Sequence, residues 1–200
     1  WRLARDTVPA PAPVDTGATR DALTGAFTQR HFVAAADREW SRIRRHGEDA
    51  ALLMVDADHF RTLNERHGQP CGDAVLVEFA RRLRGAVRRT DTVVRISGDE
   101  FTVIFETFTE HSDPHLLGQK IIDAMTPPMQ IAGKTLPVSA SVGICAGVTE
   151  GLTVEDFIRL ADAALYRSKQ EGRGRYSVQL VPRGDHQVVV AGEDDAEGEG

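Results

Sequence analysis

Two adjacent carboxylates, Asp99 and Glu100, follow Ser97 and Gly98 between two β-rich runs at residues 92–96 and 101–105. A glycine between two such runs predicts a tight β-hairpin, because glycine adopts the positive φ that short hairpin turns require. The hairpin would present both carboxylates at the tip of a rigid ribbon. Paired carboxylates are ligands for hard divalent cations such as Mg²⁺, although an isolated Gly-Asp-Glu is more often a solvated acidic turn.

A third carboxylate, Asp56, directly follows the apolar run 51–55, which predicts a strand that is buried on both faces. If this strand end faced the hairpin tip, three carboxylates would crowd together, which is unfavourable unless a cation neutralises them. We therefore expect one or two Mg²⁺ ions that bind nucleotide phosphates, as in phosphoryl-transfer sites. Asp58, two residues further on, is predicted to cap the helix that follows.

A basic cluster near the C-terminus could bind those phosphates. Lys169, Arg173 and Arg175 lie at a predicted helix end that is interrupted by glycines. Cations and a glycine cap are common at any helix C-terminus, so the functional interpretation, a mobile clamp on a triphosphate, competes with a structural one. Arg61 could contribute to the clamp. The chain has no Gly-x-x-x-x-Gly-Lys-Ser/Thr loop, so a P-loop enzyme is not predicted.

Asn64 and Asp73 bracket a predicted turn at residues 68–72. Such residues most often stabilise turns and cap helices. A carboxylate, however, can accept hydrogen bonds from guanine N1–H and N2–H₂ together, and adenine lacks that pair of donors. A site that used Asp73 in this way would select guanine, because adenine would leave buried acceptors unpaired.

The elements that would position these residues follow from hydrophobic periodicity. The pattern predicts helices over 28–45, 60–68, 72–87 and 114–125 and from 153 onwards, and strands over 51–55, 92–96, 101–105, 129–131, 136–147 and 176–180. Thr153 and Asp156 form a predicted capping box. The order of these elements implies an α+β fold, in which helices cover a mixed, mainly antiparallel sheet.

Composition indicates one folded domain with tails. Five acidic residues fall within the last eight positions, and removing them changes the net charge from −6 to −1. A nearly neutral folded part does not predict nucleic-acid binding. No run approaches the roughly 18 apolar residues of a membrane span, so we expect no membrane contact from this segment. Cys71 and Cys145 suit free thiols in a reducing cytoplasm. A cytoplasmic location is expected, alone or within a larger membrane-anchored protein.

Domain boundaries follow from local composition. Residues 1–17 are rich in proline and end in glycine, which predicts a linker. Residues 18–180 are predicted to form the folded domain, and the acidic, glycine-rich residues 181–200 a disordered tail. The chain begins with Trp1 rather than Met, so we expect an upstream regulatory domain.

Taken together, these segments resemble the GGDEF family, the diguanylate cyclases, over about residues 18–180. Five segments match the family's motifs in order and spacing. They are 21–30 (DALTGAFTQR), 56–64 (DADHFRTLN) with Gly72 and Asp73, 88–91 (RRTD), 97–101 (SGDEF), and 161–166 (ADAALY) with Lys169 and Arg173.

The resemblance implies a ferredoxin-like, palm-type nucleotidyl-cyclase fold. It also implies a reaction that joins two GTP molecules into cyclic di-GMP and releases two pyrophosphates. Each subunit of a homodimer would hold one GTP, with Mg²⁺ or Mn²⁺ as the cofactor.

The resemblance further implies a role for each matched residue. Metal ligands would be Asp56, the Ala57 carbonyl, Asp99 and Glu100, of which the last two would also favour ionisation of the attacking ribose 3′-hydroxyl. Gly98 would let the backbone approach the nucleotide. Asn64 and Asp73 would read guanine, Phe60 would help to bind the substrate, and Arg61, Lys169 and Arg173 would hold phosphates. Arg88 and Asp91 would bind cyclic di-GMP as a feedback inhibitor.

Several positions depart from the family pattern, and Ser97 is the most important, because the family usually has glycine there. If that position needs positive φ, serine carries a backbone cost of about 1 kcal/mol or more. Arg61 replaces a lysine, Glu65 an aspartate and Gln69 a histidine. Two hypotheses therefore stay open: an active diguanylate cyclase, or a catalytically silent module that senses cyclic di-GMP or GTP for a partner domain. Asp73 disfavours a third, a hybrid cyclase that also accepts ATP.

Overall fold

The computed structural model describes residues 19–104, 108 and 112–182. The strands are β1 (Phe27–Thr28), β2 (Asp49–Ala57), β3 (Thr92–Ser97), β4 (Glu100–Ile104), β5 (Met129–Ile131), β6 (Lys134–Leu136), β7 (Ala140–Val148) and β8 (Tyr176–Val181). The helices are α1 (Gln29–His46), α2 (Phe60–His67), α3 (Gln69–Ala86), α4 (Pro114–Met125) and α5 (Val154–Gln170). The predicted linker 1–17 and residues 183–200 of the predicted tail 181–200 lie outside the described residues, whereas Val181 is not part of a tail but ends β8.

A six-stranded sheet in the order β1-β3-β4-β2-β7-β8 organises the domain, and β5 pairs with β6 in a separate hairpin. Three neighbouring pairs in the large sheet, β3 with β4, β4 with β2, and β2 with β7, are antiparallel. The outer strands β1 and β8 pair in parallel with β3 and β7. The sheet is thus mixed and mainly antiparallel, which confirms the predicted α+β class.

Strand β2 runs through the centre of the sheet and is buried at every position. Successive side chains alternate between the two faces of a strand. Leu53 therefore joins the core beneath α2, α3 and α4, whereas Leu52 joins a second core beneath α1 and α5. The predicted burial of this strand on both faces is confirmed, and it fixes the face on which the polar end of β2 lies.

Two predicted elements differ most from the structure. Helix α3 begins at Gln69 rather than residue 72, because Pro70 lies in its first turn, where the missing N–H has no helical partner to lose. The predicted strand 136–147 is divided, since β6 ends at Leu136 and β7 begins at Ala140. Pro137 lies between them and offers no N–H to a strand neighbour. Among the described helices, none has both the length and the apolar character needed to cross a bilayer.

The predicted capping box of α5 is confirmed. Thr153 Oγ1 accepts a hydrogen bond from the Asp156 N–H at 3.2 Å, and Asp156 Oδ2 accepts one from the Thr153 N–H at 2.9 Å. Leu152 and Phe157, on either side of the box, both pack in the core beneath α1 and α5. This start of α5 sets the helix whose last turn carries Lys169.

We predict that Thr153→Ala lowers the free energy of unfolding by about 1 kcal/mol, because it leaves a first-turn N–H without its side-chain acceptor. Chemical denaturation would measure the change. Ser41→Ala is the matched control, because Ser41 is exposed and its hydroxyl donates to a carbonyl within α1. Equal destabilisation by the two variants would contradict a capping role.

Candidate active site

The pairing of β2 with β4 brings the predicted carboxylates together. Asp56 lies directly opposite Glu100 in the antiparallel register. Side chains in such a pair share one face of the sheet, with Cβ atoms about 5 Å apart. The Ala57 N–H also donates a hydrogen bond to the Asp99 carbonyl at 3.3 Å. The end of β2 therefore faces the hairpin turn as predicted, while the chemical roles of these residues stay predictions.

The hairpin turn consists of Gly98 and Asp99 between β3 and β4. Gly98 has φ 41°, so it supplies the left-handed conformation. Ser97 belongs to β3 and is not among the described non-glycine residues with positive φ, which are His59, Ala132 and Arg173. The conditional backbone cost at Ser97 therefore does not arise. Instead, Ser97 Oγ donates a hydrogen bond to Glu100 Oε2 at 2.9 Å.

Arg95 stabilises the hairpin turn through hydrogen bonds from its guanidinium. Its Nε donates to the Gly98 carbonyl at 2.8 Å, and its Nη1 pairs with Asp21 Oδ1 at 3.0 Å. Asp21 also accepts hydrogen bonds from the amide and hydroxyl of Thr24. The segment 21–30 is thereby tied to the hairpin, a function for Asp21 that sequence reasoning did not find, because its partner is 74 residues away.

The electrostatics of the site centre on Asp56. Burial raises the pKa of its carboxyl to about 6, the charges of Asp99 and Glu100 add to that rise, and Lys169 opposes it. The Lys169 Nζ lies 2.8 Å from Asp56 Oδ2. Burial also raises the pKa of Asp99, with the Glu100 charge contributing. Ionisation of Asp56 and Asp99 is therefore less favourable than that of exposed carboxylates, and a cation that binds beside them favours the ionised form.

The donor set fits Mg²⁺ bound together with a nucleotide. Among the described residues, no group of three or more Asp, Glu, His or Cys side chains is arranged to hold a metal ion by itself. Mg²⁺, however, usually takes only one or two protein carboxylates and completes its shell with water and substrate phosphates. Asp56 and Glu100 supply such a pair, and the Lys169 ammonium already contacts Asp56, where a cation is favourable.

The residues predicted to read guanine lie together at the junction of α2 and α3. A Cβ added to Gly72 would meet Asn64 Oδ1 at 1.8 Å, so only glycine allows α3 to pass this close to Asn64. The Asn64 Oδ1 atom is buried and accepts no hydrogen bond within the described part of the chain. Asp73, the neighbour of Gly72, accepts one from Gln69 Nε2 at 2.9 Å.

The remaining α2 residues differ in exposure. Phe60 is buried in the core, near Gly72. Arg61 is 92% exposed and pairs with Glu65 at 3.1 Å. Phe60 thus packs in the core against the junction of α2 and α3, whereas the Arg61 side chain is open to solvent at the start of α2. Their predicted contacts with a substrate stay predictions.

The prediction that Asp58 caps α2 was wrong. The N-cap residue is His59, whose φ is 57°, and no side chain caps the helix. The Asp58 carboxylate instead accepts hydrogen bonds from Ser139 Oγ at 2.7 Å, Ser141 Oγ at 2.6 Å and the Gly174 N–H at 3.0 Å. Asp58 therefore connects the end of β2 with β7 and with the basic loop after α5.

Arg88 and Asp91 form a turn between α3 and β3, at the opposite end of β3 from the hairpin turn. The Arg88 N–H donates to Asp91 Oδ2 at 2.8 Å, and the Asp91 N–H donates to the Arg88 carbonyl at 3.0 Å. Asp91 is buried, whereas Arg88 is exposed. The predicted inhibitory residues are therefore adjacent to each other and separate from the carboxylates of the candidate site.

A cavity of about 490 Å³ lies between α1, α5 and the sheet. Met54, Ile96 and Thr102 line it from the sheet, and none of the predicted site residues is among its described lining residues. Met54 pairs with Thr102, and Asp56 with Glu100, as neighbouring pairs on the same face of the sheet, so the cavity adjoins the carboxylates of the candidate site.

The mixed sheet with its carboxylate-bearing hairpin has the architecture of the solved GGDEF domains that this chain resembles. The sequence model described as "Diguanylate cyclase, GGDEF domain" matches residues 18–175, and the chain belongs to this family. The structure of the GGDEF domain of TpbB from Pseudomonas aeruginosa superposes with a TM-score of 0.74 at 33% identity, covering 80% of this chain and 93% of that one.

Curated relatives carry more than one named activity. The diguanylate cyclase TpbB of P. aeruginosa is 33% identical over 173 residues, which are 86% of this chain and 39% of TpbB. The cyclic di-GMP phosphodiesterase NbdA of the same species is 31% identical over 173 residues, which are 85% of this chain and 22% of NbdA. The chain thus spans less than half the length of these relatives.

We predict that Ser97→Gly lowers the free energy of unfolding by about 0.5 to 1 kcal/mol, because glycine is more flexible in a strand and has no hydroxyl for Glu100. Ser97→Ala separates the two effects, since it removes only the hydroxyl. Chemical denaturation of the three proteins would measure them. Stabilisation by glycine would show that the backbone at position 97 is strained after all.

Proposed function

We propose that this domain is a diguanylate cyclase, which joins two GTP molecules into cyclic di-GMP and releases two pyrophosphates. One observation carries the proposal: Asp56 lies opposite Glu100 on neighbouring strands, with Asp99 in the adjoining turn. This arrangement supports nucleotidyl transfer, because it offers hard oxygen ligands where phosphates and a divalent cation would meet. Bound Mg²⁺ would stabilise the charge that develops on the phosphate oxygens.

Guanine recognition is supported by the junction of α2 and α3. The buried Asn64 Oδ1 has no hydrogen-bond partner among the described residues, and a buried polar atom of this kind is costly unless a ligand satisfies it. Asp73 offers a carboxylate beside it, on the residue after Gly72. In this proposal Asp73 exchanges its hydrogen bond with Gln69 for the N1–H and N2–H₂ donors of guanine.

Phosphate binding is supported by the position of Lys169. Its ammonium lies 2.8 Å from Asp56 Oδ2 and is 30% exposed, so it is within reach of solvent and of an incoming triphosphate. In this proposal a metal ion bound with GTP takes over the charge of Asp56, and Lys169 moves to the phosphates. Arg173, in the loop that follows, and the exposed Arg61 would hold the triphosphate from either side.

The reaction requires two copies of the site. In each half of the reaction, the ribose 3′-hydroxyl oxygen of one GTP forms a bond to the α-phosphorus of the other GTP. The bond between that α-phosphorus and the oxygen that bridges it to the β-phosphorus breaks. Pyrophosphate leaves, and the hydroxyl proton passes to a carboxylate or to water. Because the product contains two identical linkages and each site holds one GTP, a two-fold symmetric homodimer supplies both halves. Asp99 and Glu100 would orient and ionise each attacking hydroxyl.

A sensor module is the second candidate. A named phosphodiesterase, NbdA, contains a segment similar to this chain, so such segments also occur in proteins with another named activity. A sensor would bind cyclic di-GMP at Arg88 and Asp91, or GTP at the candidate site, and turn over neither. Two features of Ser97 counted against catalysis, backbone strain and crowding of the nucleotide by its side chain. The φ of Ser97 is not positive, and the lack of strain favours the enzyme.

We predict that the chain, freed of bound nucleotide and incubated at high concentration with GTP and Mg²⁺, makes cyclic di-GMP. Glu100→Gln should lower the rate about 100-fold or more, because it removes a charge needed in the transition state, while circular dichroism stays unchanged. Glu150→Gln, at an exposed turn remote from the site, is the matched control. Chromatography of the products would measure the rate.

Two outcomes of that experiment would contradict the proposal. If the wild-type chain makes no product even when dimerisation is enforced, yet binds cyclic di-GMP, it is a sensor. If Glu100→Gln retains full activity, the catalytic residues lie elsewhere.

We predict that Arg88→Ala relieves inhibition by cyclic di-GMP and leaves the initial rate unchanged, because an exposed guanidinium is suited to bind a phosphate in bidentate fashion. Arg88 is a better target than Asp91, whose buried carboxylate holds the turn together. Arg89→Ala, next in sequence and also exposed, is the control for charge alone. Inhibition curves with added cyclic di-GMP would measure the effect, and equal inhibition of all three proteins would remove the regulatory assignment.

A further inference from the structure

We propose that Asp58 is a positioning residue for phosphate binding: its carboxylate fixes the loop 172–174 in the conformation that presents Arg173. The proposal deepens the proposed function, because it concerns the same nucleotide site and uses GTP as its ligand. Asp58 itself would touch neither the nucleotide nor the metal.

The surroundings of Asp58 are those of a structural anchor. The residue is 6% exposed, and its two carboxylate oxygens accept three hydrogen bonds, all from neutral donors. Ser141 Oγ donates to Oδ1, whereas Ser139 Oγ and the Gly174 N–H share Oδ2. The Asp58 N–H also donates to the Ser139 carbonyl at 2.9 Å. A buried carboxylate that is satisfied in this way is expensive to disturb.

The loop that Asp58 holds is unusual in its backbone. Gly172, Arg173 and Gly174 have φ values of 112°, 65° and 58°, so three successive residues are left-handed. Glycine adopts this conformation freely, but Arg173 has a side chain and does so at a cost in free energy. Such a conformation persists only where neighbouring contacts impose it. Here the Arg173 N–H donates to the Ser168 carbonyl at 3.0 Å, and Gly174 donates to Asp58.

The carboxylates of Asp56 and Asp58, at the end of β2, therefore hold the two ends of the segment 169–174. Asp56 pairs with Lys169 in the last turn of α5, and Asp58 holds Gly174 just before β8. The first contact is an ion pair that incoming phosphates and a metal ion would compete for. The second involves neutral donors only, so it would persist when nucleotide binds and keep Arg173 in place.

The test compares GTP with GMP. Both contain guanine, so the difference in their affinities reports the contacts to the β- and γ-phosphates. Calorimetry in Mg²⁺ would measure both dissociation constants for the wild-type chain, Asp58→Ala and Asp58→Asn. Thr102→Val is the matched control, because Thr102 is a buried polar residue in β4 whose hydroxyl donates to the Leu53 carbonyl, away from the loop.

We expect Asp58→Ala to weaken GTP binding about tenfold, by analogy with the lower end of the loss seen when a residue that orients a metal ligand is removed. GMP affinity should not change. Asp58→Asn should retain most of the GTP affinity, because an amide oxygen still accepts from Gly174 and the amide NH₂ can donate to a serine hydroxyl. Thr102→Val should lower stability and leave both affinities as they are. If Asp58→Ala weakens both ligands equally, or neither, Asp58 is only structural and the proposal fails.

A second readout does not depend on GTP binding. Hydrogen exchange at the Gly174 amide, and trypsin cleavage after Arg173, should both accelerate in Asp58→Ala relative to Thr102→Val. If the wild-type chain binds no GTP, the proposed function fails, and unaltered exchange and cleavage in Asp58→Ala would separately overturn the anchor. Should Asp58→Ala not fold, Asp58→Ser, whose hydroxyl is too short to reach the loop, carries the same expectations.

Discussion

The register of β2 against β4 is the constraint on which the candidate site depends. A slip of one residue would turn Asp56 to the other face of the sheet and away from Glu100. Such a slip is costly because β2 is buried on both faces, so every side chain that changed face would have to be repacked in one of two closely packed cores. The core therefore does more than stabilise the fold, since it also forces like charges to face each other at the strand end.

Carboxylates that lie close together are stabilised by a nearby positive charge, and helix α5 supplies one. Lys169 reaches Asp56 from the last turn of α5, and the start of that helix is set by its capping box more than ten residues earlier. The ion pair makes the buried Asp56 tolerable without a ligand. Because Lys169 remains partly exposed, the pair can also be exchanged for a metal ion and phosphates, which a fully enclosed pair would resist.

Sequence reasoning succeeded where the signal was local. The hairpin at Gly98, the capping box at Thr153 and the buried strand β2 all follow from short patterns of residue types. It failed for Asp58, whose contacts are with residues 81, 83 and 116 positions distant, because no spacing rule relates them. At Ser97 it could state a backbone cost only conditionally, because a family pattern gives the usual residue at a position but not the φ that the position requires in this chain.

Asp56 and Asp58 show how the environment divides the roles of two similar residues. They are separated by one alanine, yet the first faces Lys169 and two other carboxylates, whereas the second faces two hydroxyls and an amide. A carboxylate among charges responds to ligands and cations, and one among neutral donors holds its surroundings fixed. A nucleotide site needs both properties, because the ion pair must open for phosphates while the loop that carries Arg173 keeps its shape. Asp56 and Asp58, which supply these two properties, lie two positions apart in the sequence, where the end of β2 meets β7 and the loop after α5.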